Sequence, residues 1–145
     1  MIEVVSALIV EQGRVLLTQR RPDQDFAGCW ETPGGKVEGN ESWHDALRRE
    51  LREEVGVELS GISEHALWCG EIERPGKESV FVLLLRADLA PGSVPCPLEG
   101  LGIGWFGLLS IPHLPLMPAN KAALPRTQEF LSRYWIDFPK NLGEQ

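Results

Sequence analysis

Glu50, Glu53 and Glu54 stand close together in the segment SWHDALRRELREEVGV (residues 42–57), directly after the stretch Gly34-Gly35-Lys36-Val37-Glu38-Gly39-Asn40-Glu41. Residues 42–55 contain no glycine or proline, are dense in Leu, Ala, Arg and Glu, and run into Gly56 where a helix C′ residue belongs. A helix is therefore expected over 42–55. At about 100° per residue the three glutamates share an arc of roughly 100°, with Arg49 beside it. Leu47, Leu51 and Val55 fill an adjacent arc suited to packing on a sheet, while Asp45, Arg48 and Arg52 lie further round and can face water. In most proteins such a Glu-rich helix is a solvated face laced with Arg-Glu pairs, and Arg49 and Glu53 have that spacing. The flank argues for more. A Gly-Gly loop lets backbone approach a ligand closely, and like charges at Glu50 and Glu54 call for a cation. Hard carboxylate oxygens suit magnesium, which takes a few carboxylates together with phosphate and water. Acidic helix plus glycine loop points to metal-assisted phosphate chemistry.

Strands must hold this loop and helix in place. Residues 2–10 and 14–19 are aliphatic and β-branched and read as a hairpin turning at Glu11-Gln12-Gly13. Residues 20–40, with prolines and glycines among charges, read as loop with a short extended piece around Trp30–Thr32. Beyond the helix, 62–73 and 78–88 are expected as two strands joined by Arg74-Pro75-Gly76-Lys77. Residues 89–102 should be irregular, 103–106 a short strand and 112–118 a proline-rich stretch. A second helix is expected over 119–134, with Pro125 marking either a break or the start of its regular part. The fold class is α/β, a mixed sheet covered by helices.

The chain has 145 residues, the size of one domain, so a single domain over 1–145 is expected. Cys29, Cys69 and Cys96 form no C-x-x-C pair and leave one unmatched, against both a disulfide framework and a zinc site. The N-terminal MIEVVSALIV carries Glu3 and no basic leader, and the longest apolar run, Val80 to Leu85, is too short to cross a bilayer. A cytoplasmic protein without membrane association is expected. A net charge of −7 offers no general field for a nucleic-acid backbone, so duplex nucleic acid is not an expected partner. A small polyanion remains accessible if metal ions screen its approach.

At this point a resemblance enters. Gly35, five residues, Glu41, seven residues, Arg49-Glu50-Leu51, one residue, Glu53-Glu54, one residue and Gly56-Val57 together resemble the Nudix box at every defined position. The box spans 35–57. The resemblance implies an α/β/α sandwich with a mixed β-sheet between helices, and a Mg²⁺-dependent cleavage of a diphosphate linked to another moiety, with Mn²⁺ as a substitute ion. It implies Glu50, Glu53 and Glu54 as metal-binding carboxylates, with the Gly35 carbonyl as a further ligand. It also implies a bracing role for Glu41 and Arg49. Lys36 resembles the family's phosphate-facing lysine, against the plain alternative of an exposed loop lysine.

Outside the box the chain is similar to the MutT type, which hydrolyses nucleoside triphosphates to monophosphate and pyrophosphate. The likeness rests on Thr18-Gln19-Arg20-Arg21, on Trp30-Glu31-Thr32-Pro33-Gly34-Gly35-Lys36, and on Glu99-Gly100, Trp105 and Pro118-Ala119-Asn120. By that match Glu99 resembles a loop glutamate that joins the metal site or takes a proton from water. Asn120 resembles the asparagine that reads a purine edge, since an amide offers donor and acceptor together. Asn120 could equally cap the C-terminal helix. Arg20 either lines a phosphate pocket or forms a surface pair. Trp30 and Trp105 either stack on a base or, more commonly beside a sheet, belong to the core. Glu50 and Glu99 both remain candidates for the general base, and Glu53 is grouped with them as catalytic.

Thr32 stands where oxidised-guanine enzymes of this type usually carry an aromatic residue, and Lys121 where they carry an acidic one. Glu41-Ser42-Trp43 is similar to other triphosphate Nudix enzymes, so a pyrimidine or modified purine fits the pattern as well. The alternatives are a Nudix hydrolase of ADP-ribose, dinucleoside polyphosphates or 5′-triphosphate RNA ends, and a Nudix-like module that senses a nucleotide without turnover. Such modules generally lose box carboxylates, and this chain keeps them. Oligomeric state is not legible.

Overall fold

The computed structural model describes residues 1–99 and 102–137. Its strands are β1 (Ile2–Leu8), β2 (Val10–Glu11), β3 (Arg14–Gln19), β4 (Trp30–Glu31), β5 (Gly34–Lys36), β6 (Leu59–Ile62), β7 (Trp68–Arg74), β8 (Lys77–Leu89) and β9 (Gly102–Gly107). Its α-helices are α1 (Trp43–Val55), α2 (Pro118–Ala122) and α3 (Leu124–Asp137), with a single 3-10 turn at Ile111–His113.

Two sheets form. The larger runs β5-β1-β8-β6, with β7 also on β8; the smaller runs β2-β3-β4, with β9 on the other edge of β3. β1 and β8 are parallel and the other named strand pairs among the described residues are antiparallel, so the sheet system is mixed. The expected hairpin at 11–13 is present, with Gln12 and Gly13 at φ 52° and 75°, the left-handed turn that a two-residue hairpin favours. Its first arm is shorter than expected. Only Val10–Glu11 pairs with β3, whereas Ile2–Leu8 leaves to pair with β5 and β8 in the other sheet. Aliphatic content could not distinguish one long strand from one shared between two sheets.

Of the expected strand over 62–73, only 68–73 is one strand, within β7, and Ile62 is instead the last residue of a separate strand, β6. β6 and β7 each lie antiparallel to β8 at different places, Ile62 opposite Ala87 and Trp68 opposite Leu84. The thirteen residues of β8 are long enough to carry both. The C-terminal helical region breaks at Ala123, and Pro125 falls at the start of α3, where its missing N–H forfeits no helix bond.

Strand alternation decides what each helix covers. Val5, Ala7, Leu83, Leu85 and Leu16 point to one side and pack with Leu47, Leu51 and Val55 of α1. Leu8, Leu84, Val15 and Leu17 point to the other side and pack with Ala123 and Leu131. The sheets are thereby sandwiched between α1 and α3. Trp105 packs against the first cluster and Trp30 against the second, edge-on to Phe106 with ring centroids 4.8 Å apart. Neither tryptophan lines the main cavity, so both take the core role.

Candidate active site

Ser42 caps α1, its hydroxyl accepting from the Asp45 N–H at 3.0 Å, and Gly56 ends the helix at φ 68°. The segment between β5 and α1 is tied to the helix by Arg49. Its Nε and Nη2 donate to the two Glu41 carboxylate oxygens at 2.7 and 2.9 Å, and Nη2 also reaches the Lys36 carbonyl at 2.9 Å. Glu41 additionally accepts from the Glu38 N–H at 2.9 Å. The charge-assisted fork from Arg49 holds the Glu41 carboxyl down at about 2, and Glu41 in turn pushes the Arg49 guanidinium upward. These bonds join the segment before α1 to the helix through Glu41 and Arg49. The same guanidinium donates to Glu50 at 2.9 Å and Glu53 at 3.3 Å.

The three helix carboxylates do not share one environment. The Glu53 side chain is 56% exposed and Glu50 16%, whereas Glu54 is buried at 7%. The stripe anticipated from helical geometry is therefore graded from solvent to core, because Glu54 sits next to the apolar arc of Leu47, Leu51 and Val55 and shares their burial. Inside, Glu54 accepts from the Thr18 hydroxyl at 3.2 Å and the Gly34 N–H at 3.4 Å. Burial, reinforced by the neighbouring Glu31 carboxylate, pushes Glu54 up to about 8. Burial also raises Glu31, opposed by Arg20, whose Nη1 lies 3.4 Å away. Glu50 is raised by burial too, with Arg49 opposing.

Glu31 and Thr18 are therefore site residues that sequence reasoning missed. They reach Glu54 because β4 pairs with β3 in the register Thr18 opposite Glu31. A two-residue strand inside a proline- and glycine-rich stretch carries too little pattern to announce that register.

β5 is the second correction. Gly34–Lys36 is an edge strand on β1, with Gly35 opposite Val5, and not a free loop. Gly35 lies close against the Glu50 carboxylate, with which a β-carbon at this position would collide.

Gly35, Lys36, Glu50, Glu54, Arg20, Glu99 and Asn120 line one cavity of about 700 Å³, with Glu31 and Thr32. Glu53, Glu41 and Arg49 are not among its lining residues. Arg20 lines the cavity while paired to Glu31 and donates from Nε to the Asp25 carbonyl at 3.1 Å. Glu99 is brought in by its loop. The Cys96 and Leu98 N–H groups bond the Val55 and Glu54 carbonyls at 3.0 and 3.1 Å, satisfying the open end of α1, and Arg21 Nη1 donates to the Glu99 carbonyl at 3.0 Å. Asn120 is not a helix cap. It lies inside α2, whose N-cap position is Met117, and its Nδ2 donates to the Thr32 hydroxyl oxygen at 2.9 Å.

Among the described residues, no three acidic, histidine or cysteine side chains already converge around one point that could hold a metal. The donor chemistry nevertheless fits a hard divalent cation. Glu50 and Glu54 are carboxylates facing a cavity, Glu54 buried with no basic partner and Glu50 half-buried, paired to Arg49 and close against the Gly35 backbone.

Known proteins of similar shape and sequence share this arrangement of elements. The E. coli ORF135 protein matches 91% of this chain and 89% of its own at TM-score 0.74 and 34% identity. The MutT NUDIX hydrolase from Burkholderia pseudomallei matches 86% of this chain and 95% of its own, also at TM-score 0.74, with 32% identity. Among curated relatives, the CTP pyrophosphohydrolase of Escherichia coli is 59% identical over 60 residues, 41% of this chain and 44% of the relative. The 8-oxo-dGTP diphosphatase of Haemophilus influenzae is 47% identical over 57 residues, 39% of this chain and 42% of the relative. The matches thus span less than half the length of these curated relatives. The NUDIX domain model covers residues 2–127, nearly the whole described chain including the brace and the buried carboxylates, and the chain belongs to the Nudix family.

Proposed function

We propose that the chain is a divalent-metal-dependent hydrolase that converts a nucleoside triphosphate to its monophosphate and pyrophosphate, acting in the cytoplasm as one Nudix domain over 1–145. The observation that carries this reading is one cavity lined by both the buried carboxylate of Glu54 with the half-buried Glu50 and the amide of Asn120. Such a cavity suits a ligand with a polyphosphate at one end and a hydrogen-bonding ring at the other. The names of the two curated relatives, a CTP pyrophosphohydrolase and an 8-oxo-dGTP diphosphatase, support that ligand class. No helix among the described residues is long and apolar enough to cross a membrane.

Glu50, Glu53, Glu54 and the Gly35 carbonyl would hold Mg²⁺, or Mn²⁺ in its place, and the bound ion would screen phosphate charge and acidify water. Glu53 must give up Arg49 to join them, which its exposure permits. Glu50 is the better placed base, facing the cavity beside Gly35, whereas Glu99 is exposed at the rim on its loop. Lys36 is exposed at the end of β5 and lines the same cavity, where its ammonium can take charge from the departing pyrophosphate. Arg20 contributes to the phosphate-binding wall together with the carboxylate it neutralises.

Turnover of nucleoside triphosphates with Mg²⁺ in ¹⁸O-labelled water tests the reading. Label in the monophosphate with unlabelled pyrophosphate is expected. Nucleoside diphosphate plus orthophosphate overturns it, as does turnover restricted to ADP-ribose or dinucleoside polyphosphates. Binding without any product would identify a sensing module.

A further inference from the structure

The Asn120 amide is not free to turn at random, because Thr32 holds one end of it. Thr32 is 6% exposed, follows β4 directly and lines the cavity beside Asn120. The two residues lie far apart in sequence and are brought together by two backbone bonds. Trp30 N–H donates to the Pro115 carbonyl at 2.7 Å, and Met117 N–H donates to the Trp30 carbonyl at 2.9 Å. These fix the start of α2 against β4. Asn120 then spends an Nδ2 proton on the Thr32 oxygen at 2.9 Å. An amide is planar, so tying the nitrogen on one side leaves the Oδ1 acceptor on the other.

We infer that Thr32 is a specificity-determining positioning residue: by holding the Asn120 amide nitrogen it presents the amide oxygen to the exocyclic position of a base in the cavity, which then favours an exocyclic amino donor there over a carbonyl. The inference rests on the nucleotide reading above and adds to it a base chemistry. Cytosine and adenine carry an exocyclic amino group where uracil and hypoxanthine carry a carbonyl. These pairs differ in donor against acceptor at nearly constant shape. A carbonyl facing Oδ1 leaves two acceptors opposed in a partly desolvated site, which is the arrangement that hydrogen-bonding sites reject most strongly.

The test is direct binding of nucleoside monophosphates by titration calorimetry, which needs no turnover. CMP should bind about 10-fold more tightly than UMP, and AMP about 10-fold more tightly than IMP. Thr32→Val, nearly isosteric but without the hydroxyl, should collapse both ratios toward one, and Thr32→Ser should restore them. Ribose 5-phosphate, which has no base, reports whether the variants keep the cavity intact. Equal weakening of every ligand, ribose 5-phosphate included, in both variants makes Thr32 a packing residue and overturns the inference. Ratios unchanged in Thr32→Val, reversed ratios in the wild-type chain, or no binding of any monophosphate overturn it too. Discrimination in binding without turnover of any triphosphate would sustain the inference while sinking the catalytic reading.

Discussion

Glu41, in the segment just before α1, and Glu54, near the end of α1, are the same residue type under opposite conditions. On the outer side, Glu41 is gripped by both ends of the Arg49 guanidinium, and its carboxyl is held down at about 2. On the inner side, Glu54 has only a hydroxyl and an amide N–H for partners, faces Glu31, and is pushed up to about 8. Outside, charge is matched and the loop is braced. Inside, negative charge is left short of a counter-ion where the cavity opens. The contrast teaches that one helix can separate scaffold from chemistry by burial alone, since a single step from Glu53 to Glu54 takes a carboxylate from solvent into the core.

The largest effect should come from neutralising the inner side. Glu54→Gln keeps the shape and one acceptor for Thr18 and Gly34, and should lower turnover more than about 100-fold at saturating Mg²⁺. Glu53→Gln should lower it comparably if Glu53 swings in from Arg49. The two variants part in the metal-free protein: Glu54→Gln removes a buried uncompensated charge and should raise the melting temperature at pH 8, while Glu53→Gln, on an exposed group, should hardly move it. Near-normal turnover in Glu54→Gln would end the assignment of this helix as the metal site.

The next effect is the pH dependence of metal-free stability. A carboxyl raised in the folded state binds its proton more tightly folded than unfolded, so its contribution is whole below pH 4.5 and is lost as pH rises through about 8. A carboxyl lowered in the folded state, as Glu41 is, contributes above pH 4.5 and loses that contribution as pH falls toward about 2. Denaturant unfolding should therefore show a maximum near pH 4.5 and a decline toward pH 8 on the order of a few kcal/mol, carried by Glu54. Glu54→Gln should flatten the alkaline limb and leave the acid limb in place. Adding Mg²⁺ should also flatten it, by supplying the missing positive charge. An alkaline limb as steep in Glu54→Gln as in the parent would show that another group carries it.

The outer side was more legible from sequence than the inner one. The pairing of Arg49 with Glu41 is what the resemblance to the Nudix box implies, and the structure has Arg49 of α1 bonded to Glu41 in the segment just before the helix. Gly56 at the end of α1 and the apolar arc of Leu47, Leu51 and Val55 were legible because helix geometry is regular enough to be read from spacing. Glu31 and Thr18 were not, because their meeting depends on the register of a two-residue strand. The split of residues 2–11 between two sheets, and of 59–74 between two strands on β8, escaped for a related cause: apolar content marks a strand without saying which neighbour it pairs with. Asn120 was singled out for base contact or for capping; the structure removes the capping alternative and puts the residue on the cavity wall. Its partner was not legible, since Thr32 lies far away in sequence and reaches it only through the clamp at Trp30.

A smaller effect comes from breaking the brace. Arg49→Met keeps the stem of the side chain but removes all its donors to Glu41, Glu50 and the Lys36 carbonyl. Much of this network is partly exposed, so water can replace several of the lost bonds. The expected outcome is a drop of a few degrees in melting temperature, with the alkaline limb of the stability profile unchanged. Faster backbone amide exchange should appear across 36–41 and leave β3 and β4 alone. Loss of the fold outright would mean that the brace carries more of the structure than its exposure implies.

The smallest effect tests whether scaffold and chemistry separate where they meet, at the C-terminal end of α1. Gly56 has φ 68°, and a β-carbon there would lie 3.1 Å from Leu98 Cδ1. Leu98 is 57% exposed and can shift by the few tenths of an ångström required, so the backbone conformation dominates. Gly56→Ala should destabilise by about 1–2 kcal/mol through left-handed strain. Cys96 and Leu98 bond the last carbonyls of α1, so the same substitution disturbs the loop that carries Glu99 to the cavity rim. If Glu50 is the base and Glu99 an accessory at the rim, turnover should fall only slightly, far less than in Glu54→Gln. If turnover instead falls as far as in Glu54→Gln while the protein remains folded, the Glu99 loop belongs to the chemical centre and the general base must be reassigned from Glu50 to Glu99.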